Sequence, residues 1–121
     1  SSDIEPEQND LAKLHETKKL IAKIPGLAVK PTAIFSAADA MTCFAYPALR
    51  DIGIEPMRDI EIISCDNTEY YMGQMTPRPT TIDIGCELIG ERALETLCWR
   101  LANPGQRSHI TQCVEPVLVE A

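Results

Sequence analysis

Residues 31–66 read PTAIFSAADAMTCFAYPALRDIGIEPMRDIEIISCD, and this stretch decides the fold. It predicts an apolar strand at Thr32–Ser36, a helix at about Ala40–Ile52 and a second strand at Ile60–Cys65. Apolar residues recur along the helix at the spacing of one buried face: Met41, Phe44, Ala45, Ala48, Leu49 and Ile52. A strand, helix and strand at this spacing form a βαβ unit, which predicts two parallel strands with a right-handed crossover.

Pro47 lies inside the predicted helix, where proline removes a backbone hydrogen bond and costs about 3 kcal/mol. Because the apolar stripe continues across Pro47, we expect one kinked helix rather than two short ones. Gly53 suits the left-handed position that follows a helix end.

The remaining sequence predicts an acidic tail and four further elements. The tail covers residues 1–8, and the elements are a helix at Asn9–Ile24, a strand at Thr80–Ile84, a helix at Glu87–Ala102 and a strand at Ile110–Val119. Pro116 in the last segment indicates an edge strand or a bulge. The first helix has no strand before it, so the pattern indicates part of a larger α/β unit.

Composition excludes several classes of function. The 121 residues carry 18 acidic side chains against 11 Lys and Arg, and a net charge of -7 disfavours binding of nucleic acid by this chain itself. The five cysteines form no CxxC pair, which argues against a disulfide framework or a metal site and favours buried thiols in the cytoplasm. No segment resembles a membrane span or a signal peptide.

Two acidic residues follow the two strands of the βαβ unit: Asp39 and Asp66. Parallel sheets bind ligands beyond the carboxyl ends of their strands, so both positions are candidates for a ligand site. Helix capping is the alternative at each position. Asp66 and Glu69 have the spacing of a capping box, and Asp39 stands where the helix begins.

Two stretches together resemble the LacI/GalR family of bacterial transcription regulators over about residues 31–120. They are residues 31–67, ending in IEIISCDN, and residues 75–97, MTPRPTTIDIGCELIGERALETL. The resemblance rests on the order of the motifs: a strand, a small-small-Asp helix start, an Asp-Asn strand end and a Thr-Pro-x-Pro-Thr-Thr loop.

This resemblance implies a fold and a domain organisation. The expected fold is an incomplete parallel-sheet lobe of the periplasmic-binding-protein-like type, with three α/β/α layers. Residues 9–81 and 106–121 are expected to form the second lobe, and residues 82–105 to cross to the first lobe and supply a helix there. The helix-turn-helix domain that binds operator DNA is absent from this chain.

The resemblance also implies which residues bind an effector. Asp66 is the expected contact, and Asp39 is expected to be mainly a helix cap. Ala38 and Ile84 stand where sugar-responsive relatives often carry polar residues of the cleft. Because both positions carry apolar residues here, the cleft is expected to be less polar, which favours a nucleobase, an aromatic acid or another small metabolite over a simple hexose.

The resemblance places a homodimer contact on the helix of the βαβ unit. Its predicted outer face has unusually little charge for a solvated surface. The expected interface residues are Cys43, Tyr46, Pro47 and Arg50.

The sequence therefore predicts the sensor domain of a transcription regulator. A small-molecule effector, which is a sugar, a nucleobase or another metabolite, binds between two lobes and changes the affinity of a separate DNA-binding domain for operator DNA. A solute-binding protein for uptake would share the fold, but five free cysteines count against it. A small α/β enzyme is the third alternative. Because no nucleophile, metal triad or phosphate loop is evident, we expect no enzyme activity, cofactor or metal.

Overall fold

The computed structural model describes residues 6–121 and shows four helices, one 3-10 turn and four strands. The helices are α1 (Pro6–Ile21), α2 (Asp39–Asp51), α3 (Glu69–Met72) and α4 (Cys86–Ala102), and the 3-10 turn spans Ile24–Gly26. The strands are β1 (Ala33–Phe35), β2 (Glu61–Asp66), β3 (Thr80–Asp83) and β4 (Val117–Val119).

The chain enters α1 three residues earlier than expected. Pro6 is the first residue of the helix, a position that suits proline because its N–H would have no partner there. The predicted tail is therefore wrong for residues 6–8, while its residues 1–5 lie outside the described part of the chain.

The four strands form one sheet in the order β1-β2-β3-β4. β1 pairs with β2, and β2 with β3, in parallel, while β4 runs antiparallel to β3. The βαβ unit and the parallel-sheet lobe are thereby confirmed. The register places Ser64 beside Thr81 and Asp66 beside Asp83.

The core lies between one face of the sheet and the helices α1 and α2. Ile62 of β2 and Leu49 of α2 are at most 1% exposed at its centre. α2 runs unbroken through Pro47, as predicted, and Gly53 beyond its end has a φ of 79°. That conformation favours glycine, since any other L-residue would be strained.

The opposite face of the sheet is open in the described residues. Phe35 and Ile63 point to this face and are 66% and 36% exposed. α4 buries none of its residues, although it carries Leu94, Leu97 and Leu101. Residues 6–121 thus supply two of the three expected layers, which agrees with an incomplete lobe.

The last strand is much shorter than the predicted Ile110–Val119. It begins at Val117, directly after Pro116, and it lies at the edge of the sheet. Proline cannot donate to a ladder, so Pro116 delays the pairing and the edge position is confirmed. Within residues 6–121, no helix is both long and apolar enough to cross a membrane.

Replacing Pro47 with alanine should stabilise the chain. Pro47 is exposed inside α2, so alanine restores a helical N–H without disturbing the core. We expect the free energy of unfolding in urea, followed by circular dichroism, to rise by about 1–3 kcal/mol. Pro116→Ala is the matched control and should change little, and a less stable Pro47→Ala variant would show that the proline ring contributes to packing.

Candidate functional site

A groove of about 520 Å³ opens at the carboxyl ends of β2 and β3. This is the edge at which parallel α/β sheets bind ligands. The groove is bounded by the two strand ends, the following corner and the first turns of α4. Its lining residues are Asp66, Asn67, Thr68, Asp83, Gly85, Cys86, Glu87, Leu88 and Glu91.

The corner after β2 has an unusual backbone. Asp66 and Asn67 have φ angles of 110° and 56°, a region that non-glycine residues occupy mainly where surrounding contacts hold them. Asn67 Nδ2 donates to Asp83 Oδ2 at 3.0 Å, which ties the corner to the end of β3.

Asp83 is the acid of β3 that faces this corner. Its Oδ1 accepts a hydrogen bond from the Gly85 N–H at 2.8 Å. The hydrogen bond from the Asn67 side chain, followed by that from Gly85, lowers the pKa of Asp83. Asp83 is therefore a carboxylate whose oxygens already have protein donors.

Asp66 differs from Asp83 in its partners. Its half-buried side chain lines the groove, yet no N–H group of residues 6–121 donates to it. The neighbouring Cys65 thiol has a raised pKa, because of its burial first and the Asp66 carboxylate second. Asp66 thus keeps acceptor positions for a hydrogen-bond donor in the groove.

The capping-box interpretation of Asp66 is wrong. The N-cap residue of α3 is Thr68, and Glu69 instead pairs with Arg78 at 2.7 Å. This ion pair lowers the pKa of the Glu69 carboxyl group. Asp66 is free of the structural role that competed with ligand binding.

The helix-cap prediction for Asp39 requires correction. Ala38 is the N-cap of α2, and no side chain caps this helix. The Asp39 side chain is 0% exposed and accepts hydrogen bonds from protein donors, Ser64, Thr81 and the Thr68 N–H. Asp39 is therefore neither the cap of α2 nor accessible to an effector in this structure.

Two further predicted contacts are not among the lining residues of the groove. Ala38 and Ile84 are partly buried, and neither lines the groove that contains Asp66. Asp83 is not among the contacts predicted from the sequence, and no contact was predicted for Asn67. The signal for Asp83 is the stretch IDIG, in which an acid stands at the end of a strand, as Asp66 does in IEIISCD. Among the described residues, no three His, Cys, Asp or Glu side chains converge on a possible metal position.

The predicted dimer face of α2 is largely covered. Tyr46 is 3% exposed and donates its hydroxyl to the Pro77 carbonyl, and the half-buried Cys43 thiol donates to the Tyr71 carbonyl at 3.4 Å. Pro47 and Arg50 remain exposed.

Arg50 is exposed but not free of partners. It pairs with Glu55 at 2.8 Å, donates to the Thr76 carbonyl and lies 5.6 Å from the centre of the Tyr46 ring. The expectation that the four residues form an exposed surface is wrong, because the segment 71–78 folds over this side of α2.

Comparison with known proteins agrees with the fold. The model of the periplasmic binding protein-like domain matches residues 2–120. The chain is 32% identical over 91 residues to the transcriptional repressor PurR of Pectobacterium atrosepticum, covering 75% of this chain and 26% of the relative. It is 33% identical over 92 residues to the ribose operon repressor of Escherichia coli K12, covering 76% and 27%.

A crystal structure of the Lac repressor dimer, bound to operator and the anti-inducer ONPF, is also similar. Its TM-score is 0.72 at 26% identity, over 91% of this chain and 36% of the repressor. The chain is also 31% identical over 102 residues to the lactose operon repressor of Rhizobium radiobacter, covering 84% of this chain and 86% of that relative. The chain belongs to the periplasmic-binding-protein-like domain family, on its LacI/GalR regulator branch. It spans about a quarter of the length of the PurR and ribose operon repressors compared above. The resemblance read from the sequence is confirmed.

The buried Tyr46 gives a prediction for alkaline pH. Burial raises the pKa of Tyr46 from 10.0 to about 12. A group whose pKa is raised on folding contributes stability below its unfolded pKa and loses that contribution as the pH rises through the folded pKa. We therefore expect the difference in unfolding free energy between the wild type and Tyr46→Phe to be constant below pH 10 and to shrink between pH 10 and about 12.

Urea denaturation at four pH values measures this difference. Tyr70→Phe is the matched control, because Tyr70 is 74% exposed: at neutral pH it should change the unfolding free energy less than Tyr46→Phe does. A constant difference for Tyr46→Phe up to pH 12 would contradict the burial of the Tyr46 hydroxyl.

Proposed function

We propose that the chain is the ligand-contacting part of a LacI-type transcriptional regulator, in which Asp66 binds a small-molecule effector. One observation carries the proposal: Asp66, Asn67 and Asp83 converge on a groove at the carboxyl ends of two paired parallel strands. Of the two carboxylates, Asp83 has its oxygens occupied by Asn67 and Gly85. Asp66 is the acceptor left for a ligand.

The charge of the groove defines the class of effector that we propose. Four of its nine lining residues are acidic, and none is Lys or Arg. A carboxylate or phosphate in this groove would be repelled by like charges. The proposal therefore favours a neutral or cationic molecule with hydroxyl or N–H donors, such as a sugar or a nucleobase, and disfavours the aromatic acid that the sequence allowed.

The open surfaces of the structure support the lobe organisation expected from the sequence. We propose that residues 9–83 and 106–121 belong to one lobe and that residues 84–105 cross to another, two residues later than expected, because Ile82 and Asp83 still pair with β2. α4 exposes Leu94, Leu97 and Leu101 to solvent, as expected for a helix whose packing partner lies in a second lobe. A second lobe would also close the groove from the side opposite to Asp66.

The proposed mechanism is a shift between lobe orientations. An effector that binds one orientation more tightly stabilises that orientation by the difference in binding free energy. We propose that a homodimer transmits this shift to a DNA-binding domain that lies outside these 121 residues. The similar Lac repressor structure is of a dimer bound to operator. Uptake of solutes is not favoured, because the most similar curated proteins compared above are repressors.

Replacing Asp66 with asparagine should weaken effector binding. The substitution keeps the shape of the side chain, but it removes the charge and one acceptor oxygen. With a ¹⁵N-labelled chain titrated with D-ribose, cellobiose and hypoxanthine, we expect at least one probe to shift the amide signals of Asn67, Thr68 and Gly85. Asp66→Asn should raise the dissociation constant of that probe roughly 10-fold or more, the size of a lost charge-assisted hydrogen bond.

Asp59→Asn is the matched control, because Asp59 is an aspartate of a surface turn paired with Arg58 and remote from the groove. It should leave the dissociation constant unchanged. Benzoate serves as the anionic comparison and should not bind. Binding of a probe that is equally tight in Asp66→Asn and the wild type would refute the role of Asp66.

A further inference from the structure

The Asp39 carboxylate is the centre of a buried polar network that connects four parts of the lobe. Asp39 lies in the first turn of α2 and is fully buried. Its Oδ1 accepts from Ser64 Oγ of β2 at 2.5 Å and from Thr81 Oγ1 of β3 at 3.2 Å. Its Oδ2 accepts from the Thr68 N–H, at the start of α3, at 2.7 Å.

The Asp39 carboxylate fixes the direction of the hydrogen bonds that reach it. Thr42 Oγ1 lies 2.6 Å from Ser64 Oγ, and each hydroxyl has a single hydrogen to donate. An ionised carboxylate only accepts, so Ser64 must donate to Asp39 and can only accept from Thr42. Ser64, Thr81 and the Thr68 N–H are therefore the three donors to Asp39, while the single hydrogen of Thr42 has two acceptors within reach, Ser64 Oγ and the Ala38 carbonyl oxygen at 3.1 Å.

The Thr68 N–H is the part of this network that touches the site. It follows directly after Asp66 and Asn67, the two residues of this corner that have positive φ angles. Such a backbone persists where the surrounding structure fixes it. Two hydrogen bonds hold this corner. The Asn67 side chain donates to Asp83 at the end of β3, and the Thr68 N–H donates to the buried Asp39 carboxylate.

We propose that Asp39 is a positioning residue of the site: its buried carboxylate holds the Thr68 N–H and thereby fixes the corner from which Asp66 faces the groove. Asp39 does not contact the ligand. Its influence passes through one backbone hydrogen bond, and the hydroxyls of Ser64 and Thr81 keep the carboxylate in place. The expected effect of Asp39 on effector binding rests on the proposed function. The hydrogen bond that holds the corner can be tested without any ligand.

Two substitutions of similar shape separate the role of the acceptor from that of size. Asp39→Leu fills the space but accepts no hydrogen bond, whereas Asp39→Asn keeps one oxygen for the Thr68 N–H, because the hydroxyls can reorient and the backbone cannot. Amide hydrogen exchange by NMR gives the rate at Thr68 relative to Glu61, whose N–H is bonded to Thr32 in the sheet. We expect this ratio to rise at least roughly 10-fold in Asp39→Leu and to stay near the wild-type value in Asp39→Asn.

The matched control is Leu49→Ala, which destabilises the core without removing a donor or an acceptor of the network. A purely structural role for Asp39 would change the exchange of Thr68 and Glu61 in parallel, as this control should. An unchanged ratio in Asp39→Leu would overturn the proposal.

A measurement on the wild type covers the case in which Asp39→Leu does not fold. A scalar coupling across the hydrogen bond, between Thr68 ¹⁵N and Asp39 ¹³Cγ, should be detectable. Its absence would overturn the proposal.

The final arm tests the consequence for binding with the same probes, D-ribose, cellobiose and hypoxanthine. A probe that binds the wild type should bind Asp39→Asn with a similar dissociation constant and Asp39→Leu more weakly. Equal binding by Asp39→Leu would refute the positioning role. If no probe binds the wild type while the exchange ratio rises in Asp39→Leu, the proposed function fails for these ligands and the positioning of the corner stands.

Discussion

Burial of the Asp39 carboxylate is the constraint on which the centre of this lobe depends. Asp39 is the single charged side chain among the fully buried residues of the part that the structure describes. A buried carboxylate costs several kcal/mol unless it is compensated by hydrogen bonds. Ser64 and Thr81 therefore occupy core-facing positions of β2 and β3, where a parallel sheet otherwise favours Val, Ile or Leu.

The sequence predicted the features that depend on short-range patterns. The alternation of strand and helix predicted the parallel βαβ unit, the unbroken stripe predicted one helix through Pro47, and Gly53 and Pro116 predicted a helix end and an edge strand. In each case the cause lies within a few residues of the effect.

The role of Asp39 could not be predicted in this way. An acid at the start of a helix suggests a cap, but the partners of Asp39 lie 25, 29 and 42 residues later in the sequence. One signal was present in the stretch IEIIS. The alternation that places Ile60 and Ile62 in the core also places Ser64 there, so a hydroxyl is expected to be buried. A buried hydroxyl requires a partner, and that requirement points to an acceptor elsewhere in the core.

The face of α2 was misread for a related reason. Helical periodicity places Tyr46 outside the core stripe of α2, so the sequence predicted that this side of the helix is exposed. In the structure, the segment after α3 returns over this side, and Arg50 and Tyr46 bind its carbonyl groups at Thr76 and Pro77. The apolar character that suggested a partner subunit reflects a contact within the chain. A proposed dimer must therefore use surface other than the ring of Tyr46.

The site shows a division of roles between its two acids that bears on specificity. The two carboxylate oxygens of Asp83 accept hydrogen bonds from Asn67 and Gly85, whereas Asp66 accepts none from an N–H group of the described residues. In the proposed sensor, a second lobe would close over the groove and exclude water, and Asp66 would then need a donor from the ligand. A molecule that lacks this donor leaves a desolvated carboxylate unpaired, and such mismatches discriminate more strongly than the loss of apolar contact. In the proposed site, the hydrogen bonds of Asn67 and Thr68 would fix the backbone from which the Asp66 carboxylate meets that donor.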